Sequence, residues 1–122
     1  MAGEFRIVLR AEDYDATVAF YRDGLELPID HDWDRGPLQR GTVFRAASGL
    51  IEILPLQEGE TFVPPTGLEI AYEVEDVDAW CERIAAKGLP ILGELADKPW
   101  GHRTFSVTDP VGVKVILYRI IG

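Results

Sequence analysis

With 122 residues and 47% apolar side chains, the chain has the usual size of one domain and enough apolar surface to bury a core. No apolar run approaches the roughly 20 residues needed to cross a bilayer, and the N-terminus has no signal-peptide pattern, so we expect a cytoplasmic protein. The net charge of −9 excludes nucleic acid and anionic membranes as expected partners, because both require lysine and arginine to neutralise phosphate groups.

The first predicted element is a strand over residues 5–10, where apolar side chains alternate with mostly charged ones. Asp13 or Asp15 then caps a helix by accepting hydrogen bonds from its free N–H groups, and this helix is expected to end near Gly24-Leu25. Residues 57–66, which include Pro64-Pro65, are predicted to be a linker. Before the linker come three extended runs, Leu27–Trp33, Gly41–Ala47 and Leu50–Leu54.

The second half of the chain repeats this order. Residues 68–74 alternate in the same way, Asp76 or Asp78 caps a second helix, and Gly88 can end it in the left-handed conformation. Cys81 falls on this helix, where a buried and unreactive thiol is expected. The later extended runs are Pro90–Leu95, Arg103–Thr108 and Val113–Tyr118.

The two halves are copies of one unit. Leu9–Ala16 matches Tyr72–Ala79 at a glutamate, two aspartates and an alanine, with a constant offset of 63 residues. A repeat of about half the chain indicates a duplicated module. The sequence therefore predicts an α+β fold with two βαβββ modules in a single domain over residues 1–122. Module one is expected at about 4–56, the linker at about 57–66 and module two at about 67–121.

Four short motifs lie on this order of elements: Phe20-Tyr21, Glu75–Asp78, Pro99–Phe105 and Asp109–Gly112. Together with the two βαβββ modules, their order and spacing resemble the vicinal-oxygen-chelate superfamily, the glyoxalase, bleomycin-resistance protein and dioxygenase group. The resemblance covers nearly the whole chain. It implies curved mixed sheets that form a ligand cavity, and a homodimer whose subunits share their cavities.

Metal-dependent members of that superfamily place four ligands on the first and last strands of their two modules. The matching positions here are Arg6, Glu52, Glu69 and Ile116. Guanidinium has no free lone pair and isoleucine has no donor atom, so no metal or other cofactor is predicted. Weak binding of a divalent ion such as Mg²⁺ by Glu52 and Glu69 stays open. Arg6 is expected to pair with Glu52 or Glu69, which would compensate its charge.

The alternation along the strands predicts which side chains lie opposite the helices. This face should carry Arg6, Val8, Arg10, Leu50, Glu52, Leu54, Glu69, Ala71, Glu73, Lys114, Ile116 and Tyr118. Aromatic side chains from loops and middle strands are expected to add to it. The predicted ligand-binding residues are Arg6, Trp33, Phe44, Glu52, Glu69, Trp100, His102, Phe105, Ile116 and Tyr118.

The sequence contains no nucleophile elbow, phosphate-binding glycine loop, Cys-x-x-Cys pair or His-Glu-x-x-His motif, and no catalytic residue is predicted. The resemblance and the missing metal donors favour a metal-independent binding protein that sequesters a bulky, partly aromatic natural product or antibiotic. The alternative is a metal-dependent enzyme of the same superfamily, either a glyoxalase-type lyase or isomerase or a ring-cleaving dioxygenase. A structural or regulatory module is the third hypothesis.

Overall fold

The structure, a computed structural model, describes residues 2–122 and divides into two compact units, one ending at Pro64 and the other beginning at Pro65. The first unit contains β1 (Arg6–Ala11), α1 (Tyr14–Ala19), a π-helical segment (Phe20–Gly24), β2 (Ile29–Asp34), β3 (Arg40–Ala46) and β4 (Gly49–Pro55). The second contains β5 (Glu69–Glu73), α2 (Val77–Ala86), β6 (Ile91–Lys98), β7 (His102–Thr108) and β8 (Lys114–Ile120). The predicted α+β fold with two βαβββ modules is confirmed. That the two units form one domain stays a prediction.

Each unit has one four-stranded mixed sheet. The strand order is β1-β4-β3-β2 in the first unit and β5-β8-β7-β6 in the second. In both, the first strand of the module runs parallel to the last, with Arg6 paired to Leu50 and Glu69 paired to Lys114. The other neighbouring strands are antiparallel. The outermost strand beyond each central hairpin is therefore the second strand of its module, β2 or β6.

Both α-helices begin at an aspartate that caps them. Asp13 Oδ1 accepts a hydrogen bond from the N–H of Ala16 at 3.0 Å, and Asp76 Oδ1 accepts one from Ala79 at the same distance. Each bond satisfies one of the N–H groups that the first helical turn leaves without a partner. Of the two aspartates that could cap each helix, the first one does so in both units.

The second aspartate of each pair binds an arginine instead. Arg40 Nη1 lies 3.2 Å from Asp15 Oδ1, and Arg103 Nε lies 2.8 Å from Asp78 Oδ1. Both pairs join a helix to the third strand of its module, and they are related by the same offset of 63 residues. Hydrogen bonding to Arg103 holds the pKa of Asp78 below its ordinary value. The duplication thus extends from the sequence to the side-chain contacts.

The first helix and two strands depart from their predicted boundaries. The α-helix ends at Ala19, and a π-helical segment follows that buries Tyr21 completely. The Leu27 N–H then donates to the carbonyl of Tyr21 at 3.0 Å and Glu26 has φ 56, so β2 begins at Ile29 instead of Leu27. In the second unit β6 extends past the predicted end at Leu95 to Lys98, because strand pairing resumes after two register shifts.

The core of each unit lies between its sheet and its helix. The buried residues of the first and last strands alternate with exposed or half-buried ones, which confirms the predicted alternation. Fully burying a valine, leucine or isoleucine side chain contributes roughly 1.5–3 kcal/mol to the stability of the fold. These core residues are Leu9, Ala11, Ile51 and Ile53 in the first unit and Ile70, Tyr72, Val115 and Leu117 in the second.

Candidate ligand-binding site

The face of the second sheet opposite α2 contains a hollow of about 460 Å³. Pockets for small organic ligands have volumes of roughly 300–1,000 Å³, so the hollow has the size of such a site. It lies entirely on residues of the second unit. Six of the predicted ligand-binding residues line it: Glu69, Trp100, His102, Phe105, Ile116 and Tyr118.

The floor of the hollow includes two hydroxyl groups of β7. Thr104 and Ser106 are 8% and 4% exposed, and Ser106 pairs with Gly93 of β6 on one side and with Ile116 of β8 on the other. A Cβ at residue 93 would lie only 2.5 Å from Ser106 Oγ, so any larger residue at this position would require the hydroxyl to move. Both hydroxyls are able to donate and to accept hydrogen bonds from the floor.

Two parallel rings form one wall of the hollow. The His102 and Tyr118 ring centroids are 4.4 Å apart, with an angle of 6° between the ring planes. Both side chains are half-buried. Stacked aromatic side chains are held by their packing, so together they present a flat, pre-arranged surface.

The charges that line the hollow balance one another. Two lysines, Lys98 and Lys114, accompany two glutamates, Glu69 and Glu94. Lys114 Nζ lies 3.6 Å from Glu69 Oε1, and because both side chains are about half exposed the pair contributes little to stability. The hollow is therefore locally neutral although the chain as a whole carries a charge of −9.

The corresponding face of the first unit carries a half-buried ion pair. Arg6 Nη1 donates to Glu52 Oε1 at 2.9 Å, and the Glu52 side chain is only 12% exposed. Hydrogen bonds to Glu52 and to Glu4 raise the pKa of Arg6. The expected pairing of Arg6 is thus confirmed with Glu52, whereas Glu69 lies beside Lys114.

Trp33 covers another part of this face. It pairs with Gly41 on β3, and a Cβ at residue 41 would clash with the Trp33 ring and lie 2.9 Å from Leu54 Cδ2. The His31 ring stacks on Trp33 with the centroids 6.0 Å apart. Asp30 holds His31 through a 2.8 Å contact, and the hydrogen bonds from His31 and Arg45 lower the pKa of Asp30.

Phe44 and Phe105 are both buried core residues. Phe44 is fully buried, with its ring centroid 5.8 Å from that of Tyr21. Phe105 is 1% exposed and lies between Thr104 and Ser106 on β7, where it contributes to the lining of the hollow although little of its ring is accessible. The Phe44 ring is not accessible to a ligand, which corrects the expectation for this residue, whereas Phe105 stays a predicted ligand contact.

Trp100 stands at the rim of the hollow, where it is 65% exposed. It lies in the turn between β6 and β7, next to Gly101, which has φ 89. The Ile121 N–H donates to the carbonyl of Gly101 at 2.8 Å and so fastens this turn to the end of β8. The indole ring is thus exposed on an anchored turn.

The four positions that match metal ligands do not fit a tightly bound metal. Arg6 and Ile116 lack an electron pair to donate, and the two carboxylates already lie beside cations, Glu52 beside Arg6 and Glu69 beside Lys114. Among residues 2–122, no three His, Cys, Asp or Glu side chains come close enough together to hold a metal ion. We derive no chemistry through a metal at these positions.

Several residues of the hollow were missed by the sequence analysis. They are Gly93, Glu94, Lys98, Thr104 and Ser106. Two of them could have been predicted, because side chains alternate along a strand and Thr104 and Ser106 therefore share a face with His102. The residues of β6 could not be placed, because its register shifts interrupt the period. No helix in the described part of the chain is both long and apolar enough to span a membrane.

Comparison with known proteins places these observations in a family. A family model described as Glyoxalase/Bleomycin resistance protein/Dioxygenase superfamily matches residues 5–117. A search of curated proteins finds no match. Among solved structures, TioX from Micromonospora sp. ML1 is similar with a TM-score of 0.77 and 22% identity, over 98% of this chain and 100% of that one.

Two further similar structures belong to proteins with different functions. TnmS3, an antibiotic binding protein from Streptomyces sp. CB03234, has a TM-score of 0.77 and 20% identity, over 98% of this chain and 97% of its own. Lactoylglutathione lyase from Agrobacterium tumefaciens has a TM-score of 0.70 and 22% identity, over 98% and 94%. Identities this low show a shared fold alone. The family model, by contrast, covers most of the sequence, and the chain therefore belongs to the Glyoxalase/Bleomycin resistance protein/Dioxygenase superfamily.

Proposed function

We propose that the protein is a metal-independent small-molecule binding protein that sequesters a bulky, partly aromatic natural product or antibiotic. The observation that carries this proposal is the hollow of about 460 Å³, with the flat His102 and Tyr118 wall and the hydroxyls of Thr104 and Ser106. A flat aromatic wall suits a planar ligand, and a few placed hydroxyls orient it. Protection would come from lowering the concentration of the unbound compound.

The chemistry of the hollow supports binding over catalysis. His102 and the two glutamates are its titratable groups besides lysine and tyrosine, and no serine or cysteine nucleophile with a hydrogen-bonded base is among its lining residues. The metal-ligand positions do not fit a metal, as described above. The fold shared with an antibiotic binding protein agrees with this function without establishing it.

The proposal includes a homodimer with shared cavities and a cytoplasmic location, with no nucleic-acid or membrane partner. Light scattering coupled to size-exclusion chromatography measures the first of these. The acidic surface charge suits neither nucleic acid nor an anionic bilayer.

Isothermal titration against polycyclic aromatic and glycopeptide antibiotics tests the binding function. We expect at least one compound to bind with a dissociation constant below about 10 μM, which corresponds to roughly −7 kcal/mol. Titration of Tyr118→Ala with the same compound provides the site control, because this substitution removes one ring of the wall. Failure of every compound to bind below high micromolar concentrations would count against sequestration.

The alternative function is a metal-dependent enzyme of the same superfamily, which the fold shared with lactoylglutathione lyase keeps in view. Elemental analysis after native purification separates the two functions. Stoichiometric iron, zinc, nickel or manganese would favour the enzyme.

A further inference from the structure

The strand registers allow the two modules to be compared residue by residue. In the first unit, Trp33 of β2 pairs with Gly41 of β3. In the second, Ala96 of β6 pairs with Thr104 of β7. The offset is 63 for both residues of the pair, so Ala96 holds the place in the second module that Trp33 holds in the first.

The neighbouring row across the sheets shows the same contrast. His31 of β2 pairs with Val43, which in turn pairs with Glu52. In the second unit, Gly93 pairs with Ser106, and Ser106 pairs with Ile116. The outermost strand thus presents two rings at these paired positions in the first sheet, and a glycine and an alanine in the second. Glu94 and Lys98 of the same strand also line the hollow.

The side chains above the third strand of each module differ in the same way. In the first unit the Trp33 ring lies over Gly41, and the His31 ring stacks with it. In the second unit the corresponding floor residues, Thr104 and Ser106, line the open volume. The large rings of β2 therefore occupy the space that remains open above β7.

We propose that Gly93 and Ala96 are the specificity-determining residues that open the ligand site of the second module, and that Trp33 closes a latent counterpart of this site in the first. This inference rests on the proposed binding function. It adds where the ligand binds, how many ligands bind per chain and to which chemical class the ligand belongs. One ligand binds per chain. Trp33, a predicted ligand contact, occupies the place of a ligand instead of touching one.

The same comparison indicates the chemical class of the ligand. The group that lies over Gly41 in the equivalent place of the first module is an indole, which is a planar fused ring. The hollow offers a flat ring wall and a balanced set of charges. A planar, fused-ring aromatic compound without net charge fits these features, and a non-planar cage of similar size does not.

The test uses two neutral probes, 9-anthracenemethanol as the planar one and 1-adamantanol as the non-planar one. The full chain should bind 9-anthracenemethanol with one site and bind 1-adamantanol at least about tenfold more weakly. Ala96→Trp adds a ring at the strand position that pairs with Thr104 of the floor, and it should weaken the planar probe by at least about tenfold. Leu92→Trp adds the same ring to the same strand at an exposed position and should change the affinity by less than about twofold.

Trp33→Ala tests the latent site from the opposite direction. Removing the indole over Gly41 should raise the number of bound 9-anthracenemethanol molecules per chain from one to two. Circular dichroism and thermal unfolding identify any variant that fails to fold, and Ala96→Leu replaces Ala96→Trp in that case. Equal affinity of Ala96→Trp or Ala96→Leu and the unchanged chain would overturn the inference, and so would one site in a folded Trp33→Ala variant.

Failure of this inference is distinguishable from failure of the proposed function. A chain that binds an antibiotic but not 9-anthracenemethanol would overturn the ligand class inferred from Trp33 and leave sequestration standing. A chain that binds neither would overturn both.

Discussion

The imidazole of His102 lies parallel to the phenol ring of Tyr118, with 4.4 Å between the ring centroids. These residues sit on the adjacent strands β7 and β8, and Tyr118 pairs with Thr104 on the floor of the hollow. A ligand that stacks on this wall would be held by strands of the sheet instead of by a loop. Strands position a binding surface more rigidly than loops do.

Replacing Tyr118 by leucine should weaken a planar ligand while leaving the protein folded. The substitution keeps apolar volume but removes a ring from the wall, and an aromatic pair contributes about 0.5–1.5 kcal/mol beyond area burial. The expected loss is therefore about two- to tenfold in the dissociation constant measured by titration. Phe5→Leu, which also replaces a ring by leucine but at a position 68% exposed on the first unit, is the control. Equal affinities of the two variants would contradict a stacking wall.

Chelation of divalent metal should leave ligand binding unchanged. Two of the four matching positions, Arg6 and Ile116, have no electron pair to donate, and Glu52 is already bonded to Arg6. Titrations before and after EDTA treatment and desalting measure the effect. A loss of affinity that returns on adding back one metal, with Mg²⁺ included in the series, would show that the site uses an ion.

Phe44 should affect stability and not ligand binding. Its ring is fully buried against Tyr21, and deleting a buried phenylalanine side chain to alanine costs about 3–5 kcal/mol. Urea unfolding of Phe44→Ala measures this change. Because that variant risks unfolding, Phe44→Leu is used for the binding titration, where the affinity should match that of the unchanged chain. A large loss of affinity in folded Phe44→Leu would show that Phe44 contributes to ligand binding after all.

The Asp78–Arg103 pair should stabilise the fold in a pH-dependent manner. Hydrogen bonding to Arg103 lowers the pKa of Asp78 in the folded state. The stabilisation is therefore fully present above the ordinary aspartate pKa of about 3.9 and is lost as the pH falls through the lowered folded value.

Arg103→Met tests this pH dependence. At neutral pH the variant should unfold at a lower urea concentration than the unchanged chain, and the difference should narrow as the pH drops below about 3.9. Arg22→Met, which removes an arginine from an exposed pair with Asp23, provides the matched control. A difference that stays constant down to the lowest pH would show that Arg103 acts through packing and not through its two carboxylate partners, Asp78 and Asp97.

Much of the fold could be predicted because its signals are local. The alternation along β1 and β5 identified the buried faces, and Asp13 and Asp76 marked the helix starts. The constant offset of 63 identified the duplication without any structural information. Each of these patterns depends on residues that are near one another in the chain.

The site was harder to predict because it depends on register between strands. Phe44 looks like a ligand contact by composition, but a shift of one residue along a strand exchanges the two faces of a sheet. Gly93 and Ala96 lie on either side of a register shift in β6, so no regular period could place them. The location of the hollow on the second module could not be predicted either. It depends on which residues of the outermost strands face the sheet surface, and only the strand pairing shows this.

The ion pairs that join α1 to β3 and α2 to β7 have a consequence for the history of the chain. Asp15 and Arg40 recur as Asp78 and Arg103, whereas Trp33 and Ala96 differ completely. The simplest ancestry is a half-length gene that already encoded this aspartate–arginine ion pair before the gene was duplicated. The outermost strand diverged after the duplication. By our proposal, its large side chains then filled the site in the first module, while the second module kept an open ligand site.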